Sequence, residues 1–465
     1  MEINTPQTYS ADVALASQAV GSTESKTLKD MPRPVDTADR IQTVDIIRGV
    51  ALLGILMMNI PGFGIDNSVF HDVMNGPRNT ADFRTMAVIE TLFSGTMRGL
   101  FSMLFGAGMI LFTMNKKEIP GGITVAEYYY RRLLWLVLFG VFNAYVLLWW
   151  GDILFYYGLC GMLLYPFRKT PAKWLLLLGF VCVGIGIFKT MQWYNETRGK
   201  RIAYIEAVAA EKASKKLTDE QKAAKAEWIE IEKNQKPDPD RVKENVTKMH
   251  SGYTTIFSYF IPRNSNAETW WMYHGMWDMI SMMFIGMGLF AIGFFSNKLS
   301  TSTYLMCMLL GYGVGIPLGW IFFDKGETGA TINFTSYIDA YSTPHFILYD
   351  FRRFFLCLGH ASLLLLVFRS RVVPWLMKGL SNVGQMAFTN YLMQSIICTL
   401  FFYGYGLSNY NNLKFHQLYY VVGAVWIFQI IFSAIWLNYF KFGPFEWVWR
   451  SLTYWKKQPM LKIKT

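Results

Sequence analysis

Ionisable side chains are few in this sequence, and several interrupt long apolar runs, where a charge is costly and each becomes a candidate for chemistry. Asp45 and Arg48 stand three apart at the start of the first such run, on one face if it is helical. They can close an ion pair that anchors a helix end. Alternatively, the guanidinium binds a phosphate or carboxylate while Asp45 orients it or takes a proton. Arg98 interrupts the second run, Asp350, Arg352 and Arg353 the eighth, and His360 lies deeper in the eighth. Arg98, Arg353 and His360 are substrate-binding candidates, although a buried imidazole is more often one satisfied by its own core. Asp152, in a tight turn after Gly151, either caps the following helix or faces a substrate at the membrane surface. His71, His274 and His345 fall near run ends and have no metal-ligand spacing, so no metal is expected. No phosphate-loop, dinucleotide or nucleophile-elbow motif is present. Glu446, Trp447 and Arg450 read as a structural box, with Trp rings at the interface and Arg450 near headgroups or paired with Glu446 one turn away.

These residues need an apolar scaffold, and the composition supplies one. Apolar residues make up 52% of the chain and aromatic residues 17%, with 16 Trp and 25 Met. Charged residues fall to 16%, against about 25% in soluble domains. Ten apolar runs, 44–63, 90–113, 133–150, 153–167, 174–193, 269–295, 303–323, 345–368, 383–405 and 416–440, predict helices that cross a bilayer core. The expected fold is all-α, a polytopic membrane helical bundle of about ten transmembrane helices. A soluble core would have no use for so many helices apolar on every side. Five Cys fall inside these runs and read as small buried hydrophobes.

The basic residues give the bundle a direction. Lys116, Lys117, Arg131, Arg132, Arg168, Lys169, Lys298, Arg369 and Arg371 lie in short loops on one side, joined by Lys441, Arg450 and Lys456 after the last run. That side is expected to be cytoplasmic and to hold both termini, in a bacterial inner membrane. The net charge of +12 is mostly this signal together with attraction to anionic lipid, and no continuous basic surface for nucleic acid is evident. Residues 1–43 read as a disordered cytoplasmic tail, 44–194 as five spans and 195–268 as a soluble helical insert on the periplasmic side. Residues 269–440 read as five further spans, and 441–465 as a cytoplasmic C-terminal segment. Within the insert, residues 200–235 are rich in Ala, Lys and Glu, and Thr218 with Gln221 fits a capping box. The prolines 237 and 239 then stop the helix.

The opening from Asp45 through Arg48-Gly49 to Asn59 resembles that of the YeiB-like family of bacterial membrane proteins (domain of unknown function 418). So do Leu104-Phe-Gly106-Ala-Gly108, Arg131-Arg132, Gly151-Asp152-Ile153-Leu154, the stretch Met386–Ser395 and the box Phe442–Thr453. The resemblance covers about 44–455 apart from the insert. The family is distantly similar to transmembrane acyltransferases such as heparan-α-glucosaminide N-acetyltransferase and the enzymes that O-acylate bacterial surface glycans. Those open with an Asp-x-x-Arg-Gly signature and use a His as base or acyl carrier. The resemblance therefore implies that Asp45 and Arg48 meet the phosphates of a cytoplasmic acyl donor, possible donors including acyl-CoA, with no cofactor bound permanently. Where such relatives place a His, this chain has Asn59 in the first run and Asn143 in the third, both substrate-binding candidates. An amide cannot act as a base, so either His71 or Asp152 serves beside Asp45 in the catalytic set, or the chain performs no acyl transfer.

Three functions compete on these grounds. The first is an acyltransferase acting on an envelope glycan or lipid. The second is a transporter or channel for an anionic or small organic solute, motivated by the intramembrane arginines. The third is a non-catalytic envelope assembly or signalling partner that docks through the insert. Membrane lipids are partners in all three, and the oligomeric state is not legible.

Overall fold

The computed structural model describes residues 41–114, 124–236, 238–327, 334–340 and 345–462. The expected N-terminal tail lies outside them. The described chain is helical: α1 (Gln42–Gly64), α2 (Asn67–Asn75), α3 (Ala81–Leu92), α4 (Thr96–Met114), α5 (Val125–Tyr145), α6 (Leu154–Leu164) and α7 (Ala172–Lys212). Then come α8 (Asp219–Gln235), α9 (Pro239–Met249), α10 (Tyr253–Asn266), α11 (Met272–Ala291), α12 (Thr301–Ile321), α13 (Phe334–Ala340) and α14 (His345–Ser370). The C-terminal part holds α15 (Pro374–Gln385), α16 (Ala387–Phe402), α17 (Phe415–Tyr439) and α18 (Pro444–Tyr454).

Each of the ten apolar runs forms helix. Six stretches are long and apolar enough to cross a membrane: α1, α3 with α4, α7, α12, α14 and α17. The remaining runs form α5, α6, α11 and α16. In α11 every residue from Met279 to Phe290 is buried, and α16 is buried along most of its length. The outer helices invert this pattern: the apolar windows of α7, α12 and α17 are only 22%, 17% and 28% buried, against 67% for α1. Trp174, Leu177, Phe180, Met306, Leu309, Ile427 and Ile431 point outward. So much outward apolar surface is stable only against lipid. The chain is built as an α-helical membrane protein.

α1 is the axis of the bundle. It packs on α15 so closely that a Cβ at Gly384 would collide with the Asp45 carbonyl, and one at Gly49 with the Leu380 carbonyl. Between α3 and α4 the chain turns at Gly95, whose φ of +70° suits glycine. The start of α1 and the C-terminal segment share one end of the bundle: the Thr43 hydroxyl donates to the Phe295 carbonyl (2.7 Å), and Trp449 donates to the Arg132 carbonyl (2.9 Å). Arg369 lies at that end too, bonded to Asn297.

The insert sits at the other end of α1. The boundary expected at 194/195 falls inside a continuous helix, because α7 runs 41 residues from the bundle straight into the insert. The capping box forms as expected, with Gln221 N–H donating to Thr218 Oγ1 (3.2 Å) and Thr218 N–H to Gln221 Oε1 (3.1 Å). Instead of a free hairpin, the insert is a small docked unit. Trp228 of α8 is fully buried among Tyr194 and Tyr204 of α7 and Phe334 and Ile338 of α13, and Arg201 grips Asp339 through two 2.9 Å bonds. All five Cys are free thiols, four of them buried.

Candidate functional site

Two cavities lie at opposite ends of α1. The first, of about 250 Å³, begins at Ile41, Asp45 and Arg48. Asp45 and Arg48 form the expected ion pair at 2.8 Å, and its guanidinium is about a quarter exposed. Arg132 of α5 and Arg450 of α18 complete a cationic mouth with Glu446 beside them. Below it the walls turn apolar: Phe101, Leu104, Phe105, Met109, Leu136 and Phe388. The inner end is closed by Ile153, Leu154, Tyr157 and Tyr391. The Tyr157 hydroxyl is 2.8 Å from Ser102 Oγ.

Behind that inner end stands Asp152. Its Oδ1 accepts from Asn143 Nδ2 (2.8 Å) and from the Tyr391 hydroxyl (3.4 Å), and its Oδ2 accepts from the Phe155 N–H (2.9 Å). The carboxylate thus caps the start of α6, as one sequence reading held. It is also buried, with 6% of its surface exposed. In α16, Gln394 reaches the Leu52 carbonyl one turn beyond Tyr391, so Asp152 is level with the middle of α1. The 146–153 hairpin that carries it is pulled inward by apolar contacts. Trp149 stacks on Phe63 with centroids 3.6 Å apart, and Leu148, fully buried, takes a left-handed backbone (φ 57°) whose carbonyl accepts from Tyr403 (3.3 Å).

The second cavity, of about 810 Å³, lies on the far side of that hairpin. It is lined by Gly62 of α1, by Asp66 and His71 from the chain after it, by Trp150 of the hairpin, and by Arg241 and Asn245 of the insert. Asp45 and Gly62 are separated by roughly 26 Å along α1 at about 1.5 Å per residue. The three expected catalytic residues are therefore not brought together: Asp45 serves one cavity, His71 the other, and Asp152 the partition.

Residues 289–456 match the family model of a protein of unknown function, DUF418. The chain is 28% identical over 440 residues to the uncharacterized protein YxaH of Bacillus subtilis (strain 168), covering 92% of this chain and 98% of that one. It is 28% identical over 425 residues to the uncharacterized protein YeiB of Escherichia coli (strain K12), covering 89% and 96%. Its C-terminal part thus matches the DUF418 model, and nearly its whole length is similar to YeiB and YxaH. An uncharacterized 39.9 kDa protein of Bacillus acidopullulyticus is also similar, 25% identical over 433 residues that cover 93% of this chain and 99% of that one. No solved structure matches.

The remaining candidates are placed elsewhere in the bundle. Arg98 pairs with Asp278 at 2.7 Å and donates to Tyr349 (3.1 Å). Arg353 binds Asp350 at 2.8 Å and also pairs with Asp278, and Arg352 donates to the Glu90 carbonyl (2.9 Å) beneath the Phe322 ring. These arginines clamp α4, α11 and α14 and line neither cavity. His360 donates from Nε2 to the Leu92 carbonyl (3.1 Å) and accepts at Nδ1 from Tyr312 (2.8 Å), which satisfies both nitrogens within the core. Asn59 is half-buried and lines neither cavity, and Asn143 serves Asp152.

The C-terminal box is structural and also a wall of the first cavity. Glu446 accepts from the N–H groups of Phe388 (2.7 Å) and Thr389 (3.0 Å), capping α16. Burial pushes its carboxyl above the usual range, and the bonds from Thr389 and Phe388 pull it back. Trp447 donates to the Gln458 carbonyl (2.7 Å), and Arg450 lies 4.2 Å over Phe442. Sequence reasoning missed Asp278, visible only as a lone carboxylate in the sixth run. It also took Arg132 for a topology charge alone, since nothing local marks it as cavity-facing.

Proposed function

We propose that this protein is a membrane acyltransferase that holds an acyl donor in the first cavity and passes the acyl group to an envelope glycan or lipid. The observation that carries the reading is the shape of that cavity: a mouth of three guanidinium groups, an apolar body, and a closed end backed by a carboxylate. An acyl thioester such as acyl-CoA has complementary parts, with phosphates for Arg48, Arg132 and Arg450 and a chain for the Phe and Leu walls. Asp45 orients Arg48 through their ion pair. In the transfer, an acceptor hydroxyl oxygen attacks the thioester carbon and the carbon–sulfur bond breaks. The hydroxyl proton passes through Tyr391 to Asp152 and then to the departing thiolate, which balances the step.

The ten-span topology, with both ends in the cytoplasm of a bacterial inner membrane, belongs to the same proposal. It is supported by Arg131, Arg132, Arg168, Arg369 and Arg450 gathering at the end where α1 begins.

The test is donor binding by the purified protein with palmitoyl-CoA and acetyl-CoA as probes, alongside the acyl content of envelope glycans and lipids in a deletion strain. Arg48→Ala is expected to weaken binding about ten-fold, equal to about 1.4 kcal/mol, and Asp152→Asn to spare binding while abolishing transfer. No donor binding and an unchanged envelope would reject the reading.

A second reading, a transporter, is favoured by one observation: cavities at opposite ends of α1 with one hairpin between them. Uptake of an anionic solute into proteoliposomes, blocked when the hairpin is locked to α1 by a Phe63→Cys/Trp149→Cys cross-link, would replace the enzyme reading with this one.

A further inference from the structure

The two cavities differ in chemistry, and the difference identifies what the second one takes. The first has an amphiphile's profile, charged at the mouth and apolar below. The second is lined by flat rings, amides and cations together: Trp150, Trp193 and Trp271 are set among the amides of Asn67, Asn234, Gln235 and Asn245, with Lys236, Arg241 and Arg263 beside them.

An amide offers both a donor and an acceptor, as a hydroxyl does, so a ring of amides matches a ligand that carries many hydroxyls. Aromatic faces match the apolar C–H faces of the same ligand. A lipid chain would leave the amides unpaired, at a cost for each buried polar group. A small inorganic anion would leave the rings unused. The volume of about 810 Å³ is in the range of small-molecule sites, roughly 300–1,000 Å³.

The insert builds this site rather than decorating it. Asn234 and Gln235 end α8 and Asn245 is in α9, so the upper wall comes from the insert and the lower wall from the chain after α1. The two walls are tied together: Asn245 Nδ2 donates to Asp66 Oδ2 (3.4 Å), while Asp66 Oδ1 caps α2 through Ser68 (3.0 Å). On the hairpin side the Arg263 guanidinium lies 3.7 Å from the Trp150 ring centroid. This holds one aromatic wall in place against the cavity.

We infer that the second cavity is a saccharide-binding site roofed by the insert, with Trp193 and Asn245 among its recognition residues. As the acceptor's place this rests on the acyltransferase reading, but the binding itself does not. His71 lines the same cavity, its Nδ1 3.1 Å from Asn75 Nδ2 on its own helix.

The experiment is calorimetric titration of the full-length protein in nanodiscs with cellobiose, trehalose and chitobiose, with dihexanoyl-phosphatidylglycerol and inorganic phosphate as controls. At least one saccharide is expected to bind saturably. Trp193→Ala and Asn245→Ala are each expected to weaken it about ten-fold, and an unchanged unfolding temperature of both variants shows that the fold is intact. Binding by none of the three sugars overturns the inference. So does sugar binding that both variants leave unchanged, or a phospholipid that displaces the sugar. If sugars bind and palmitoyl-CoA does not, the acyltransferase reading fails while this site stands.

Discussion

Glu446 is a carboxylate placed against two backbone N–H groups at the start of α16, and its removal leaves those donors without a partner. Glu446→Ala is expected to cost about 1–2 kcal/mol as a lost cap, read as a lower unfolding temperature in detergent. Glu446→Gln keeps one accepting oxygen and should lose less. The box was legible in the sequence as structural, but its partner was not, because the Phe388 and Thr389 amides lie 57–58 residues away in the chain. Asp152 teaches the same point from the other side. Its local sequence announces a cap, which it is, yet only Tyr391, 239 residues on, and Asn143 show that the cap is buried at mid-bundle.

At the scale of elements, α1 and α15 meet backbone to backbone. Gly384→Ala is expected to force them apart, at about 1–3 kcal/mol for overpacking. It should also widen the first cavity, which Gly384 lines. Lower yield of folded protein and weakened palmitoyl-CoA binding together are the readout, and normal values of both would refute the close-packing argument. The insert makes a separate claim about acidity. Glu232 of α8 is held below its usual 4.5, first by the Lys236 hydrogen bond and against the effect of burial, and it also accepts from Thr335 of α13 (3.1 Å). A carboxyl lowered on folding adds stability that is present above its unfolded value and is lost as pH falls through the folded one. Docking of the insert should therefore loosen below the usual glutamate range and not above it. Hydrogen exchange across 228–235 that rises in acid, and rises less in Glu232→Gln, is the expected result. The helical character and the Thr218 cap of this insert were readable from propensity. Its docking was not, because Trp228 finds Phe334 and Ile338 only once α13 is in place.

For the molecule as a whole, the gathering of arginines at one end carries a topological expectation. A cysteine at Ser214 in the insert should react with an impermeant maleimide added to intact cells, and one at Gln458 only after lysis. Native background should be small, since the five cysteines lie in apolar helices and four are buried. Labelling of both from outside, or neither, would reject the orientation.

Much of this protein is determined by its sequence alone. A bilayer interior leaves backbone groups no partner but the helix itself, so apolar length fixes where the helices are, and basic residues sort to one end. The Asp45–Arg48 pair is equally local, one helical turn apart. Which helices are central and which face lipid was decided only in the tertiary structure, because α7, α12 and α17 are as apolar as α1 and differ only in their neighbours. The separation of Asp45, Asp152 and His71 into a mouth, a partition and a second chamber was decided there too. It depends on how deep the 146–153 hairpin sinks, and that is set by Phe63 and Tyr403, which are far from it in sequence.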